Sequence, residues 1–278
     1  MVAAALAAGV LVGGCKRPSY DTSTPQAAVD AMAAMVRDGR PDLLPTMVFI
    51  EARDVAFSDG VTEASAIEDV KGKTGEMLGR LWRISGKLRR AFPADVDREL
   101  AKGGSWVSRN GFGEVFTAVM ADPFGWLDAN RSRLVAEDMG DGTAAFEIDG
   151  KPVLGGSLLM QETGDGWRLA VPVELLRASG YYPDTREEWA VLASMMLSIE
   201  NALIDFESEL DSGRFRNLAG ASERAGRLIS ESAVAQAVIY GMMIQNDPAR
   251  KAEPPEVDAK DVQRALGNTG DAMRRRAE

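Results

Sequence analysis

The residue with the most distinctive chemistry in this chain is Cys15, the only cysteine among 278 residues. A lone cysteine cannot form an internal disulfide or supply a CxxC pair for redox or metal chemistry. The sequence contains no histidine, so it also lacks the base that most often activates a cysteine or serine nucleophile. Cys15 is therefore either an inert packing residue or an attachment point.

The residues on either side of Cys15 favour attachment. Residues 2–14 carry no charge, and Lys16 and Arg17 directly follow the cysteine. The segment is shorter than the roughly 20 residues of a transmembrane helix, but it suits the apolar core of a secretory signal peptide, which is about 7–15 residues long. We therefore predict a signal peptide over residues 1–14. The alternative is a buried amino-terminal helix in which Cys15 only packs.

The stretch Val12-Gly13-Gly14-Cys15 resembles the lipobox of bacterial lipoproteins, in which a branched apolar residue and two small residues precede the cysteine. The resemblance implies that Cys15 is lipidated with fatty acyl chains such as palmitate, and that the preceding peptide is removed. It also implies a membrane-anchored protein of the cell envelope, and Lys16 after the cysteine implies the periplasmic face of the outer membrane. Residues 15–23 then form the lipidated cysteine and a polar tether.

Other residues with coordinating or catalytic chemistry form no recognisable set. The 42 acidic residues offer no pair that could be chosen as acid and base. The Asp residues of two Gly-Asp-Gly triplets suit tight turns better than a calcium loop, which needs repeated oxygen ligands. The Met pairs at 195–196 and 242–243 have helical spacing and lack a second soft ligand. We predict no metal, no cofactor and no catalytic residue.

The overall charge limits the classes of partner. The formal net charge is −10, and phosphate recognition requires a basic footprint. We therefore predict no nucleic-acid partner. Residues 71–90 are locally basic, with Arg80, Arg83, Lys87 and Arg90 on one helical face. Such a face binds an anionic surface or is the solvated side of a core helix.

The pattern along the chain predicts an α+β fold. An amphipathic helix begins after Thr24-Pro25 and ends at Gly39. Residues 62–130 are mostly helical with breaks at Pro93, Gly103-Gly104 and Asp122-Pro123. From about residue 132 the apolar period changes to two, which predicts a four-stranded antiparallel meander on which the N-terminal helices pack.

The last third predicts a helical hairpin. Thr185 and Glu188 have the spacing of a capping box, and a second helix runs from about Ser222 to Gln245, with Ala225, Leu228, Ser232, Ala235, Ile239 and Met242 on its seam. The first helix carries an uninterrupted apolar seam, which packs either in the hairpin or in a dimeric coiled coil. This seam is the candidate surface for a protein partner or for self-association, and its members are Trp189, Leu192, Met196, Ile199, Leu203, Phe206 and Leu210.

The opening "TPQAAVDAMAAMVRDGRPDLL" and the late "GDGWRL" resemble the cone-shaped domains of the nuclear-transport-factor-two-like, or ketosteroid-isomerase-like (cystatin-like), superfamily. The resemblance covers roughly residues 22–50 and 132–172 and implies a curved sheet around helices, with a cavity that some members use for small apolar ligands. The predicted division is a cone-like domain over 24–180 with a helical insertion at about 62–130, a hairpin over 181–247, and a partly disordered tail over 248–278.

These features favour a non-enzymatic envelope lipoprotein that binds a partner protein, a lipid or a glycan. The alternative is a small-ligand carrier or a carboxylate-dependent enzyme that uses the cavity of the cone-like domain. Its base would be a carboxylate with a pKa raised by burial. A third hypothesis is an oligomerisation module built on residues 184–245.

Overall fold

The computed structural model describes residues 19–102, 112–156, 158–178 and 180–246. Within these residues the chain has an α+β fold, which confirms the predicted class. The predicted signal peptide, Cys15, and the tail over 248–278 lie outside the described residues, as does the first part of the tether.

The first helix, α1 (Pro25–Arg37), begins where the sequence predicts. The Thr24 hydroxyl accepts a hydrogen bond from the backbone N–H of Ala27, and Pro25 occupies the first helical turn. Gly39 has a φ of 70°, which is the left-handed conformation that commonly ends a helix. A 3-10 helix, Pro41–Met47, follows α1.

The sheet is mixed, so the prediction of a purely antiparallel four-stranded meander is wrong. Its strands are β1 (Val48–Phe49), β2 (Leu134–Asp138), β3 (Thr143–Ile148), β4 (Lys151–Pro152), β5 (Leu159–Thr163) and β6 (Gly166–Ala170). The strand order is β1-β6-β5-β3-β2, and β4 pairs with β3. The four predicted strands are β2, β3, β5 and β6, and the pairs β2–β3, β3–β5 and β5–β6 are antiparallel.

The two additional strands are too short to leave a signal in the sequence. Val48 and Phe49 of β1 pair in parallel with Leu169 and Ala170 of β6, and β4 likewise contributes two residues. A two-residue strand shows no alternation. The pairing of β1 also depends on β6, which lies more than one hundred residues further along the chain, and this is a tertiary effect.

The turns between the strands use the predicted chemistry. In the Gly140-Asp141-Gly142 turn, the Asp141 carboxylate accepts a 3.0 Å hydrogen bond from the backbone N–H of Thr143. Both glycines have φ near 80°, where a glycine has no steric penalty. The Asp141 carboxylate therefore serves its own turn.

One face of the sheet is filled by α1. The buried side of this helix packs on inward-facing strand residues to form a core that contains Ala28, Val29, Ala31, Met32, Met35, Met47, Leu134, Ala136, Ala144, Phe146, Met160 and Trp167. Every member is apolar, so burial of this surface is the main source of stability for the sheet layer.

The remaining helices form a second layer. They are α2 (Glu63–Ala91), α3 (Pro93–Ala101), α4 (Phe112–Ala121), α5 (Gly125–Ala129), α6 (Val173–Ala178), α7 (Arg186–Asp211) and α8 (Leu218–Asn246). The predicted breaks at Pro93 and at Asp122-Pro123 are confirmed, whereas the predicted break at Gly103-Gly104 lies outside the described residues. The helices share a core to which α2, α4, α7 and α8 all contribute.

Gly75 brings α2 close to the 3-10 helix that follows α1. A Cβ atom at this position would lie 2.5 Å from the backbone carbonyl oxygen of Asp42, a separation that side chains do not tolerate. The glycine therefore sets the distance between the helical layer and the segment that leads into β1.

Candidate functional site

The structure places the predicted α7 seam inside the chain. Trp189, Met196, Leu203, Phe206 and Leu210 are buried, and Leu192 and Ile199 are half-buried. Thr185 and Glu188 form the predicted capping box at the start of α7. Because α8, α2 and nearby side chains cover this seam, self-association would have to use another surface.

The apolar seam predicted for α8 lies in the interface with α7 only at its first residues. Ala225 is fully buried, but Ile239 and Met242 are exposed. The 17 residues between Ala225 and Met242 turn a straight helix about 100° short of five full turns. Residues at the 3-4-3-4-3 spacing therefore lie progressively further from the face of α8 that contacts α7.

Three basic residues of α2 surround one carboxylate of α7. Glu207 forms ion pairs with Arg80 at 2.9 Å and with Lys87 at 3.0 Å, and the Arg83 guanidinium lies 3.9 Å from the same carboxylate. Lys87 also pairs with Asp211 at 2.6 Å. Hydrogen bonds to Asp211 and Glu207 keep the pKa of Lys87 raised despite partial burial. Three of the four basic residues on this face of α2 thus form ion pairs that hold α7 on α2.

The structure also forms a buried ionic cluster that the sequence analysis did not find. Glu63, at the start of α2, has no solvent exposure and accepts hydrogen bonds from the Arg53 guanidinium and from the Arg53 backbone N–H at 2.6 Å. Arg53 also donates to Asp184 at 2.7 Å, and Arg177 lies 3.9 Å from Glu63. No spacing rule joins these four residues, because they come from two stretches, residues 53–63 and 177–184, that are far apart in the sequence.

The electrostatics of this cluster suit a structural role. Burial alone would raise the pKa of Glu63, but the hydrogen bonds from Arg53 outweigh it and lower that pKa. Burial, followed by the Glu63 carboxylate, raises the pKa of Tyr182 to about 12. A carboxylate with a lowered pKa is a weak base. The Glu63 carboxylate therefore differs from the catalytic carboxylate with a raised pKa that a carboxylate-dependent enzyme would require.

A surface cleft of about 370 Å³ lies where β1 meets β6, and it is lined by both signs of charge. Within it Lys71 pairs with Glu68 at 2.7 Å, and Arg168 donates to the backbone carbonyl of Thr46. Both cations of the cleft thus have partners within the chain. Nothing in its lining selects a particular ligand.

The outer half of α8 is the most unusual surface among the described residues. From Ser232 to Asn246 the helix has no charged residue, and none of the described side chains from Gly226 to Gln245 is buried. Val234, Val238 and Met242 are 58%, 48% and 57% exposed. A helix of this composition is normally covered.

These residues lie on one side of α8. The outer stripe consists of Val234, Ala237, Val238, Gly241, Met242 and Gln245, whose spacing of 3, 1, 3, 1 and 3 places them on one helical face. Tyr240 lies off this face, and its hydroxyl donates a 2.7 Å hydrogen bond to the backbone carbonyl of Tyr181 in the segment before α7. The outer stripe therefore points away from the hairpin partner.

The neighbouring helix α7 is also apolar. By length and composition it is the one helix of the described residues that could cross a membrane, with a mean hydropathy of 1.3 over its most apolar stretch. Only 28% of that stretch is buried, yet α7 is bound into the fold by the Glu207 network and by the ion pair from Glu209 to Arg224. Exposed apolar surface thus extends over both helices of the hairpin.

The chain matches no protein-family model, no curated protein and no solved structure. The resemblances to the lipobox and to the cone-shaped superfamily therefore stay predictions.

Proposed function

We propose that this chain is a lipid-anchored protein of the bacterial cell envelope that acts by binding protein rather than by catalysis. The observation that carries the binding role is the outer stripe of α8, an uncharged and exposed apolar surface. Exposed apolar patches on folded proteins commonly mark sites of protein contact. The anchor rests on Cys15 and the apolar residues before it.

The fold leaves a short distance between that anchor and the folded body. The Tyr20 hydroxyl donates a 3.2 Å hydrogen bond to Asp38, and the Trp167 backbone N–H donates a 2.8 Å bond to the carbonyl of Thr22. Among the described residues, Tyr20 is the first whose side chain forms a hydrogen bond with the folded body. Four residues separate it from Cys15, and an extended chain of this length spans at most roughly 18 Å. Such a tether would hold the body close to the membrane surface.

The packing of the sheet layer and the state of Glu63 favour binding over the alternative. A ligand carrier or an enzyme of the cone-shaped type would need space on the inner face of the sheet. That face is occupied by the apolar side of α1, and the core formed there contains no carboxylate among the described residues. The buried carboxylates among the described residues all have partners: Glu63 pairs with Arg53, Glu99 pairs with Lys102, and Glu188 accepts a hydrogen bond from the backbone N–H of Thr185.

The anchor is tested in cells that express the full chain with labelled fatty acid in the medium. We expect the protein to incorporate label and to sediment with membranes. Cys15→Ser should abolish labelling, because the serine oxygen cannot replace the sulfur as the attachment atom, whereas Ser19→Ala should label like the wild type. Labelling of the Cys15→Ser variant, or absence of label from the wild type, would reject the anchor.

The binding role is tested with a photo-crosslinking amino acid introduced at Val238 in the full chain. Irradiation of cells should produce a larger protein adduct from this position. The matched control is Lys151, which is exposed at the β3–β4 turn on the sheet and should produce none. Equal adducts at both positions, or none at Val238, would contradict a binding surface on α8.

A further inference from the structure

We propose that the partner of the outer stripe is a second copy of this chain, docked by antiparallel pairing of two α8 helices around a two-fold axis. This inference rests on the binding role proposed above and identifies the partner. It uses a surface different from the α7 seam, which the fold buries inside the chain.

The spacing of the outer stripe is symmetric, as in other helical stripes at this spacing, and symmetry is the first condition for self-association. Val238 and Gly241 are equally distant from the point midway between residues 239 and 240, as are Ala237 and Met242, and also Val234 and Gln245. An isologous interface requires that residue i contacts residue j while j contacts i. Two antiparallel copies of α8 centred on this point satisfy that requirement along the whole stripe.

The sizes of the paired side chains supply a reason to infer self-association. In this arrangement Val238 faces Gly241 of the second copy, and Met242 faces Ala237 of the second copy. In these two central pairs the larger side chain meets a small one, which permits close packing of two helices, whereas Val234 faces Gln245 at the ends of the stripe. A partner with an unrelated sequence would have to supply this complementarity separately.

The described residues do not explain why a glycine occupies position 241. A glycine in a helix interior costs about 1 kcal/mol relative to alanine. A Cβ atom at Gly241 would meet no other atom within 4 Å, so the fold does not require its absence. At a helix crossing, the missing side chain would let the facing Val238 approach the backbone.

The charge distribution permits two copies to meet at this surface. The chain has a formal net charge of −10, and like charges brought together at an interface oppose association. Because α8 has no charged residue from Ser232 to Asn246, this is a segment where two acidic copies can dock without opposing charges. The same segment lacks the Lys and Arg residues that hold an interfacial helix on an anionic membrane.

The size of the contact explains why the anchor matters. The outer stripe is about 17 Å long at 1.5 Å per residue, so one pair of helices buries less than the roughly 1,200 Å² of a standard interface. A contact of this size is weak between freely diffusing molecules. Confinement to one membrane surface raises the effective concentration of the two copies, so we expect dimers chiefly in the membrane-anchored protein.

The test is disulfide cross-linking of the full chain in intact cells that co-express two differently tagged forms. One form carries Val238→Cys and the other carries Gly241→Cys, because these positions face each other across the proposed axis. We expect a reducible dimer that contains both tags. The control pair combines Val238→Cys with Lys151→Cys, which should cross-link at least about tenfold less since the two positions do not face each other.

A third variant distinguishes a specific dimer from chance collision. Val238→Glu places a charge on the stripe where it stays solvated in the monomer, and at the control position Ser208→Glu does the same on an exposed site of α7. With cysteine at Ala237 in one tagged form and at Met242 in the other, Val238→Glu should abolish the dimer and Ser208→Glu should not. Helix content measured by circular dichroism should be unchanged in both.

Two outcomes would overturn the inference. One is a lipidated protein that gives no dimer containing both tags, and the other is a dimer that persists with Val238→Glu. Cross-links only to a different protein, or protection of the introduced cysteines by lipid alone, would assign the stripe to that partner instead. Fatty-acid labelling of the same samples reports the anchor independently, so failure of the anchor and failure of the dimer are distinguished.

Discussion

The Tyr240 hydroxyl on α8 donates a 2.7 Å hydrogen bond to the backbone carbonyl of Tyr181 in the segment that leads into α7. This bond joins the two helices at the open end of the hairpin, far from the connecting turn. It fixes the rotation of α8 about its own axis, because Tyr240 must face α7. The same rotation turns Val234, Val238 and Met242 outward.

Removal of this hydrogen bond should loosen the outer half of α8. In Tyr240→Phe the bond is lost while the ring is retained, and we expect a decrease of about 0.5–1 kcal/mol in the free energy of unfolding. Amide hydrogen exchange should become faster in residues 232–246 and stay unchanged in α1 and the sheet. Tyr181→Phe is the control, because the acceptor is the backbone carbonyl of residue 181. Equal effects of the two variants would argue against the bond.

Glu63→Gln should destabilise the protein at neutral pH. The variant leaves the positive charge of Arg53 without its buried partner, and we expect a loss of about 2 kcal/mol, less than for a fully buried pair because Arg53 is partly exposed. Urea unfolding measures this loss. Glu68→Gln, on the exposed side of the same helix, is the control and should change stability by less than about 0.5 kcal/mol.

The difference in the free energy of unfolding between the wild type and Glu63→Gln should depend on pH. The folded protein holds the pKa of Glu63 below its usual value of 4.5, so the unfolded state binds a proton at a higher pH than the folded state does. The stabilisation from ionised Glu63 is therefore complete well above pH 4.5 and is lost as the pH falls through the folded-state pKa. The difference between wild type and Glu63→Gln should be constant near neutral pH and should shrink in acid. A difference that grew in acid would contradict the ionised state.

Two glycines of α2 should respond to alanine in opposite directions. At Gly75 the new methyl group would lie 2.5 Å from the Asp42 carbonyl oxygen, and we expect a loss of about 1–3 kcal/mol. At Gly72 no other atom lies within 4 Å, so the helix preference of alanine should add up to about 1 kcal/mol. Thermal unfolding should show a lower Tm for Gly75→Ala and a higher Tm for Gly72→Ala. A lower Tm for both variants would mean that the lack of space at Gly75 does not explain the loss of stability in Gly75→Ala.

Local sequence signals were sufficient for the ends and faces of the main elements. Thr24-Pro25 and Gly39 correctly mark the start and end of α1, and the Thr185–Glu188 capping box marks the start of α7. The alternating residues after 132 correctly predict four of the strands. These features depend on neighbours within one or two turns, so the residues that determine them are visible in the sequence.

Features that depend on distant contacts were missed or misplaced. The parallel strand β1 exists because β6 offers it an edge, and the Glu63 cluster forms because α2, the loop at Arg53 and the start of α7 meet in space. The α8 seam was placed too far around the helix at its outer end, because a 3-4 spacing does not show which neighbours fix the rotation of a helix. The Tyr240 hydrogen bond supplies that information.

By itself the sequence determined the α+β class, the boundaries of α1, the four main strands, the helical hairpin and the absence of charge in the outer half of α8. Only the tertiary structure decided which side of α8 is covered and which side is exposed. The physical reason is that composition limits what a helix can bury, whereas the packing of α7 and the bond from Tyr240 to Tyr181 select the face that is buried. The outer stripe is exposed because it lies on the side of α8 that these contacts leave uncovered.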